Sequence, residues 1–330
     1  MIFKANRFLL AALFLMSLSS VCAQRFFVDS NGNDLNPGTE KYPVRSLHAA
    51  QILVRNYKSI NGVPDTGIQV IIRNGYYDLP QSLVFDESDG GTKAAPVIWQ
   101  AAAGEKVVIT GGKTIMPELF QPVKNSELFR GLNPEAVSEI RVLDLLEAGI
   151  NNTGKHKQYG HTLPVVPAPM ELFFNHEPMI LARFPNQGFI PIGNVKDPGS
   201  VPRTGDKSGR GAIFNYVNPR HSKWTAEPDI WLQGTFNYGF ADDYIPVAAI
   251  DTTLQTIQLA RPHLYGVASG KDFQHYVAMN ILYELDAPGE YYVDRHKNLL
   301  YFWPPADPET STVMVSMLEG PVLALEGVSN

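Results

Sequence analysis

Residues 311–330 read STVMVSMLEGPVLALEGVSN. Two short runs there, Val313 to Ser316 and Val322 to Leu325, alternate with the period of two that marks a strand. The chain stops directly after them, with no capping segment following. The pattern is that of a repeat array cut off as it starts. The expectation is that the first rungs and an inserted domain are present, while most of the part that performs chemistry lies beyond Asn330.

Working back toward the N-terminus, strand-like runs recur with an irregular repeat. Val70-Ile71-Ile72-Arg73 is echoed 27 residues later by Val97-Ile98-Trp99-Gln100, and Leu83-Val84-Phe85 is echoed 24 residues later by Val107-Val108-Ile109. Periods of this size predict coils of a solenoid. Each coil of a parallel β-helix stacks its strands ~4.8 Å from those of the previous coil, leaving an unpaired edge at each end. Before these coils lie a strand Phe26 to Asp29, the polar loop SNGNDLNPGTEKYP and a helical stretch from Ser46 to about Tyr57. Leu47, Ala50 and Val54 put apolar groups on one face of that helix, which suits it to cover the first edge. At the other end Leu323, Leu325 and Val328 are expected to face open space.

From residue 113 to 311 the period is lost. Longer strands joined by tight turns take over: Met170 to Asn175 with Met179 to Phe184 around His176-Glu177-Pro178, Ile245 to Ile250 with Thr256 to Leu259, and Tyr291 to Val293 with Leu299 to Phe302. These predict hairpins, hence antiparallel pairing. The expected organisation is therefore 1–23 a signal peptide, 24–112 an N-terminal cap and first β-helix coils, 113–311 a β-rich, sandwich-like insertion domain, and 312–330 the resumed β-helix. The fold class is all-β.

Composition agrees with a strand-rich exported protein. The chain has 330 residues, 44% hydrophobic, with 27 glycines and 25 prolines to form turns. The net charge is −6 and there is no basic run, which excludes the electrostatic footprint of a nucleic-acid binder. Lys4 and Arg7 precede the apolar run Phe8 to Leu18, and Val21-Cys22-Ala23 supplies a cleavage site, so the mature chain is expected to begin at Gln24 in a secreted or periplasmic setting. That cut removes Cys22, the only cysteine. A lipid anchor at Cys22 is disfavoured, because Val21 stands where a small residue is usual. No later stretch reaches the roughly 18 apolar residues of a membrane span.

Four segments carry a family resemblance: FFVDSNGNDLNPGTEKYPVRSLHAA (26–50), GGTKAAPVIWQAAAGEKVVITGG (90–112), MELFFNHEPMILARFPNQGF (170–189) and ELDAPGEYYVDRHKNLLYFWPP (284–305). Together they make the chain resemble the right-handed parallel β-helix enzymes of glycoside hydrolase family 141 and their close relatives, which carry an insertion domain after the first coils. The resemblance implies action on complex plant glycans, including removal of fucose, by a pair of acidic residues and without a cofactor. It places those acids on later coils beyond Asn330, so no catalytic residue is carried over to this chain.

Glycoside hydrolysis needs two carboxyls, ~5 to 5.5 Å apart for retention or ~6.5 to 9.5 Å for inversion. Asp242 and Asp243 are candidates if they lie in a loop; in a strand they point to opposite faces and cannot share one sugar. A solvated turn is the competing reading, and it applies to Asp86, Glu87 and Asp89 as well. The run from Trp224 to Tyr244 is dense in rings, of which Trp231, Tyr238 and Tyr244 are the candidates for a sugar-stacking platform. Packing in a core or seam explains the same rings. Asp29, Asn31, Asn33 and Glu40 match a calcium-loop spacing, but Asp34 stands where the turn requires glycine, so turn hydrogen bonds are preferred and no metal is assigned. His156 and His161 lack further ligands at zinc spacing.

The leading function is thus an exported glycan-degrading hydrolase acting on a polysaccharide or oligosaccharide. Two alternatives stand beside it. One is a polysaccharide lyase, which would need basic residues and acidic ligands clustered on successive coils. The other is a non-catalytic carbohydrate-binding or surface module.

Overall fold

The computed structural model describes residues 23–124, 129 and 134–329. Of the expected signal peptide 1–23, residues 1–22 lie outside them. Two compact units are formed. One takes in the described residues up to Tyr77, Leu83–Ile109 and Leu323 onward; the other takes in Asp78–Ser82 and Thr110–Val322.

In the first unit, Gln24–Val28, Ile68–Ile72 and Val97–Ala101 form a three-stranded parallel sheet in continuous register, with Phe26 opposite Val70 and Val70 opposite Trp99. Alternation does the sorting: Ile68, Val70 and Ile72 are buried while Gln69 and Ile71 are partly exposed. Leu323–Leu325 runs parallel to Leu83–Phe85, and Gly75–Asp78 pairs with Val107–Thr110. The echo of Leu83-Val84-Phe85 in Val107-Val108-Ile109 therefore does not correspond to a pairing. Each of those runs has another partner.

The helix spans Leu47–Asn61 and buries Leu47, Ala50 and Val54 as their spacing predicts. Ser46 caps it, its hydroxyl accepting from the Ala49 N–H, and Gly62 closes it at φ +71° with its N–H on the Lys58 carbonyl. The preceding loop holds itself with side-chain turns. Asp29 Oδ1 accepts from the Asn31 N–H, Asn33 Oδ1 from the Leu35 N–H, and Asp34 Oδ1 from the N–H groups of Arg45 and Ser46. Asp89, expected in a solvated turn, is buried. It receives Arg55 Nε at 2.7 Å and Nη2 at 2.6 Å, with Gln51 at 3.1 Å.

The second unit is built on hairpins. Asp242–Asp251 pairs antiparallel with Trp231–Thr235 on one side and Thr256–Leu259 on the other, in an eight-stranded sheet that also holds His275–Met279, Ile213–Asn215 and Val195–Asp197. A five-stranded sheet pairs Glu290–Asp294 with Leu299–Phe302 and Leu299–Phe302 with Arg141–Asp144. The turn after Phe174 is tighter than its composition suggests. Asn175 and His176 take positive φ, and Glu177–Pro178 already pairs back on Leu172–Phe174.

Val313–Ser316 departs from expectation. Instead of stacking as a coil, it pairs antiparallel with both Leu172–Phe174 and Gly112–Ile115 in the second unit. Its apolar residues Val313 and Val315 complete a core with Leu143, Leu172, Leu300 and Phe302. The chain is all-β as expected, but its sheets are mostly antiparallel. Apart from Ile180–Leu181 beside Glu290–Asp294, the described parallel pairings sit at the first unit's strands. No helix among the described residues is long and apolar enough to cross a membrane.

Candidate functional site

The candidate site is organised by the segment 151–170, which has almost no regular structure of its own. It is held to the start of strand Asp242–Asp251: Gly160 bridges to Asp243, the His161 N–H donates to the Asp242 carbonyl, and the Tyr244 N–H donates to the Tyr159 carbonyl. Gly160 is needed for this docking. Its φ is +144°, and a Cβ there would lie 2.4 Å from the Asp242 carbonyl oxygen and 2.8 Å from Asp243 Cα. The docked backbone presents His156, Gln158, Tyr159 and His161 to the strand.

Two of the three ring candidates are interior. Trp231 and Tyr244 are buried and stack at 4.7 Å, and Tyr159 stacks on Tyr244 at 4.9 Å. The Trp231 Nε1–H donates to Asp229 Oδ1 at 2.7 Å, and the Tyr244 hydroxyl meets His156 Nδ1 at 3.0 Å. Tyr238 differs: it is 49% exposed and nearly parallel to Phe240, itself 63% exposed, with centroids 5.6 Å apart and planes 12° off parallel. Tyr265 packs edge-on against both rings, and His161 meets Phe240 edge-on at 5.3 Å. Phe240 and Tyr265, the other members of this surface, were not singled out by the sequence reading.

Asp242 and Asp243 lie within a strand, so they point apart, the outcome that prevents both from serving one sugar. Asp242 is exposed. Asp243 is buried, with the Gln158 amide N–H groups 3.1 and 3.0 Å from its two oxygens and the Tyr244 N–H on Oδ1 at 2.9 Å. Burial pushes the Asp243 carboxyl up to about 7, against the pull of those hydrogen bonds. It is a group able to hold a proton near neutrality, inside a closed network.

Two cavities flank His156. The larger, about 400 Å³, is lined among others by Tyr159, Glu171, Met179, Tyr244 and Tyr291. The smaller, about 280 Å³, is lined by Lys155, Asp229, Tyr292, Arg295 and His296 among others. Arg295 is largely buried. Its Nε donates to the Gly154 carbonyl at 3.2 Å, while Nη1 stands 3.7 Å from Asp229 Oδ2, too far for a hydrogen bond. Among the described residues, neither Arg295 Nη1 nor His156 Nε2 has a hydrogen-bond partner. Burial, then the Arg295 charge, lowers His156 to about 4, so its ring is neutral. No group of three or more His, Cys, Asp or Glu that could hold a metal ion occurs among the described residues. Arg295 and Asp229 escaped the sequence reading because nothing near either in the chain marks them. Only the fold brings them to His156.

No protein-family model matches this chain, and no curated protein does. Among solved structures it is similar to one titled "Glycoside hydrolase", with a TM-score of 0.63 at 17% identity over 88% of this chain and 46% of that one. The likeness is one of fold, and the chain spans about half the length of the structure it matches. A structure titled "The complex structure of XylC with xylose" aligns with a TM-score of 0.37 at 14% identity, covering 92% of this chain and 35% of that one.

Proposed function

We propose that this chain belongs to an exported glycan-active protein of the family 141 glycoside hydrolase type, with a fucosidase-like activity on complex polysaccharide. In this reading residues 1–23 are its signal peptide, and the three register-matched parallel strands of the first unit begin a right-handed parallel β-helix. The fold shared with a solved glycoside hydrolase supports the class. The observation that carries carbohydrate recognition is the exposed, near-parallel pair Tyr238 and Phe240, buttressed by Tyr265. Aromatic faces held outward and rigid offer apolar area at low entropic cost, which suits the C–H faces of a sugar. Buried Trp231 and Tyr244 do not serve this role; they support the strand from which the platform rises.

Affinity electrophoresis through gels containing neutral plant polysaccharides tests the binding step, and analysis of released fucose tests the hydrolytic one. The expected result is retardation of the chain that Tyr238→Ala with Phe240→Ala abolishes, and sugar release by the full protein to which it belongs, since no catalytic acid is assigned within residues 1–330. Retardation without release by that full protein would support the carbohydrate-binding module in place of the hydrolase. No retardation in any polysaccharide would overturn the glycan reading.

A further inference from the structure

The smaller cavity carries an inference of its own. His156 Nδ1 is engaged by the Tyr244 hydroxyl at 3.0 Å. We assign the hydroxyl as the donor to Nδ1, which places the single proton of the neutral imidazole on Nε2 and makes that nitrogen a buried donor without an acceptor. Arg295 Nη1 is a second such donor, and both residues line the same cavity. Two unsatisfied buried donors are costly, the charged one more so. Asp229 relieves the guanidinium only in part: its Oδ1 is taken by Trp231, and its Oδ2 forms an ion pair at 3.7 Å but no hydrogen bond to Nη1. Lys155 adds a further positive charge to the lining, so cations outnumber the lone carboxylate. A hydroxyl oxygen could satisfy one donor, but only an anion offsets the guanidinium charge as well. A volume of about 280 Å³ is near the lower end for small-molecule pockets and suits one sugar unit.

We propose that this cavity is an anion subsite that receives the carboxylate of a uronic acid unit, held by Arg295 Nη1 and His156 Nε2. The uronic acid, as opposed to another oxyanion, rests on the glycan reading above; the anion site itself rests on the two unpaired donors.

Titration calorimetry on the full chain at neutral pH tests it with three probes: glucuronate, glucose and inorganic sulfate. Glucuronate is expected to bind and glucose not, with affinity falling as salt is added. Arg295→Met should weaken glucuronate at least tenfold. Asp229→Asn, which removes the competing negative charge, should tighten it several-fold. A general folding defect would weaken binding in both variants, so the opposite signs separate a specific role from damage, and Asp229→Asn remains decisive if Arg295→Met does not fold. Equal heats from glucuronate and glucose, or no response to either substitution, would overturn the proposal. Binding of sulfate but not glucuronate would overturn the uronate assignment. Polysaccharide retardation dependent on Tyr238 with no glucuronate binding would overturn the subsite and leave the glycan function standing. Arg295-dependent glucuronate binding without any retardation would support the subsite and count against that function.

Discussion

Trp231 and Tyr244 lie face to face in the second unit, their ring centroids 4.7 Å apart and their planes 15° off parallel. Strand pairing sets this up: Trp231 is opposite Pro246 and Gln233 opposite Tyr244, so the two rings sit diagonally on one face of adjacent strands. Their contribution is to packing. Trp231→Ala should cost about 3–5 kcal/mol of unfolding free energy, while Tyr238→Ala, at a half-exposed position, should stay within about 0.5 kcal/mol. Urea unfolding measures both. Comparable losses in the two variants would contradict the division between interior and platform rings.

What could be read from the residues depended on whether the signal was local. Alternation in Ile68–Ile72, the Leu47, Ala50 and Val54 face, and the turns around Asp251 to Gln255 and Asp294 to Asn298 are local patterns, and each is present in the fold. Partner choice is not local. Val313–Ser316 has the same alternation whether it stacks as a coil or joins Leu172–Phe174 and Gly112–Ile115, and only the core waiting at Leu143 and Phe302 decides. The ring-dense run from Trp224 to Tyr244 shows the same limit. Composition marks it as important, but the strand pleat and the turn at 236–241 determine that Trp231 and Tyr244 turn in while Tyr238 and Phe240 turn out. Arg295, Asp229 and His156 are far apart in the chain, and no spacing could have joined them.

Asp243 makes stability pH-dependent with a definite sign. Its folded value of about 7 lies above the unfolded value near 3.9, so between these limits the folded chain retains a proton that the unfolded chain releases. Stability from this group therefore falls as pH rises from about 4 to 7 and is level above. Glu290, raised by burial to about 8, acts in the same direction. Asp243→Asn keeps an oxygen for the Gln158 and Tyr244 donors and removes the titration. It should flatten the decline between pH 5 and pH 8 by on the order of 2 kcal/mol or more, as read by urea midpoints. Identical pH slopes for the two proteins would refute the shift.

His221 works in the opposite sense at lower pH. It is fully buried, with Nδ1 2.7 Å from the Asn218 carbonyl and Nε2 2.7 Å from the Tyr276 hydroxyl, and burial lowers it to about 4. Between about 6.5 and 4 the unfolded chain takes up a proton that the folded chain refuses, so stability is lost as pH falls through that window. The ring signals of His221 in a histidine-selective NMR titration should stay in the neutral form at pH 5. A midpoint near 6.5 for His221 would contradict it.

Gly160→Ala places a methyl group against the Asp242 carbonyl and Asp243 Cα while forcing a left-handed-region φ on alanine. The bridge to Asp243 and the two flanking hydrogen bonds should open, releasing the segment 151–170. Limited proteolysis is expected to cut the variant within that segment at a rate well above wild type, with roughly 1–3 kcal/mol lost in global stability. Hydrogen exchange at the His161 amide, which donates to the Asp242 carbonyl, reports the same event at a single site. If its protection survives in Gly160→Ala, the docking does not depend on the glycine.

Asp89 carries the corresponding test for the first unit. Its carboxylate is enclosed, receiving Arg55 through two nitrogens, Gln51 at 3.1 Å and the Asp86 N–H at 2.8 Å. Arg55 is about a third exposed, so water screens part of the pair and the loss on breaking it should fall toward the lower end of the range for buried ion pairs. Asp89→Ala is expected to cost about 3 kcal/mol, because it leaves the Gln51 amide and the Asp86 N–H without their acceptor while the Arg55 head turns to solvent. Asp89→Asn keeps one acceptor oxygen and should recover part of that loss. The order wild type, Asn, Ala in unfolding free energy is the expected result. Equal stability of all three would mean that the loop at 86–89 is as solvated as its composition suggests and that this carboxylate does not fasten the helix Leu47–Asn61 to it.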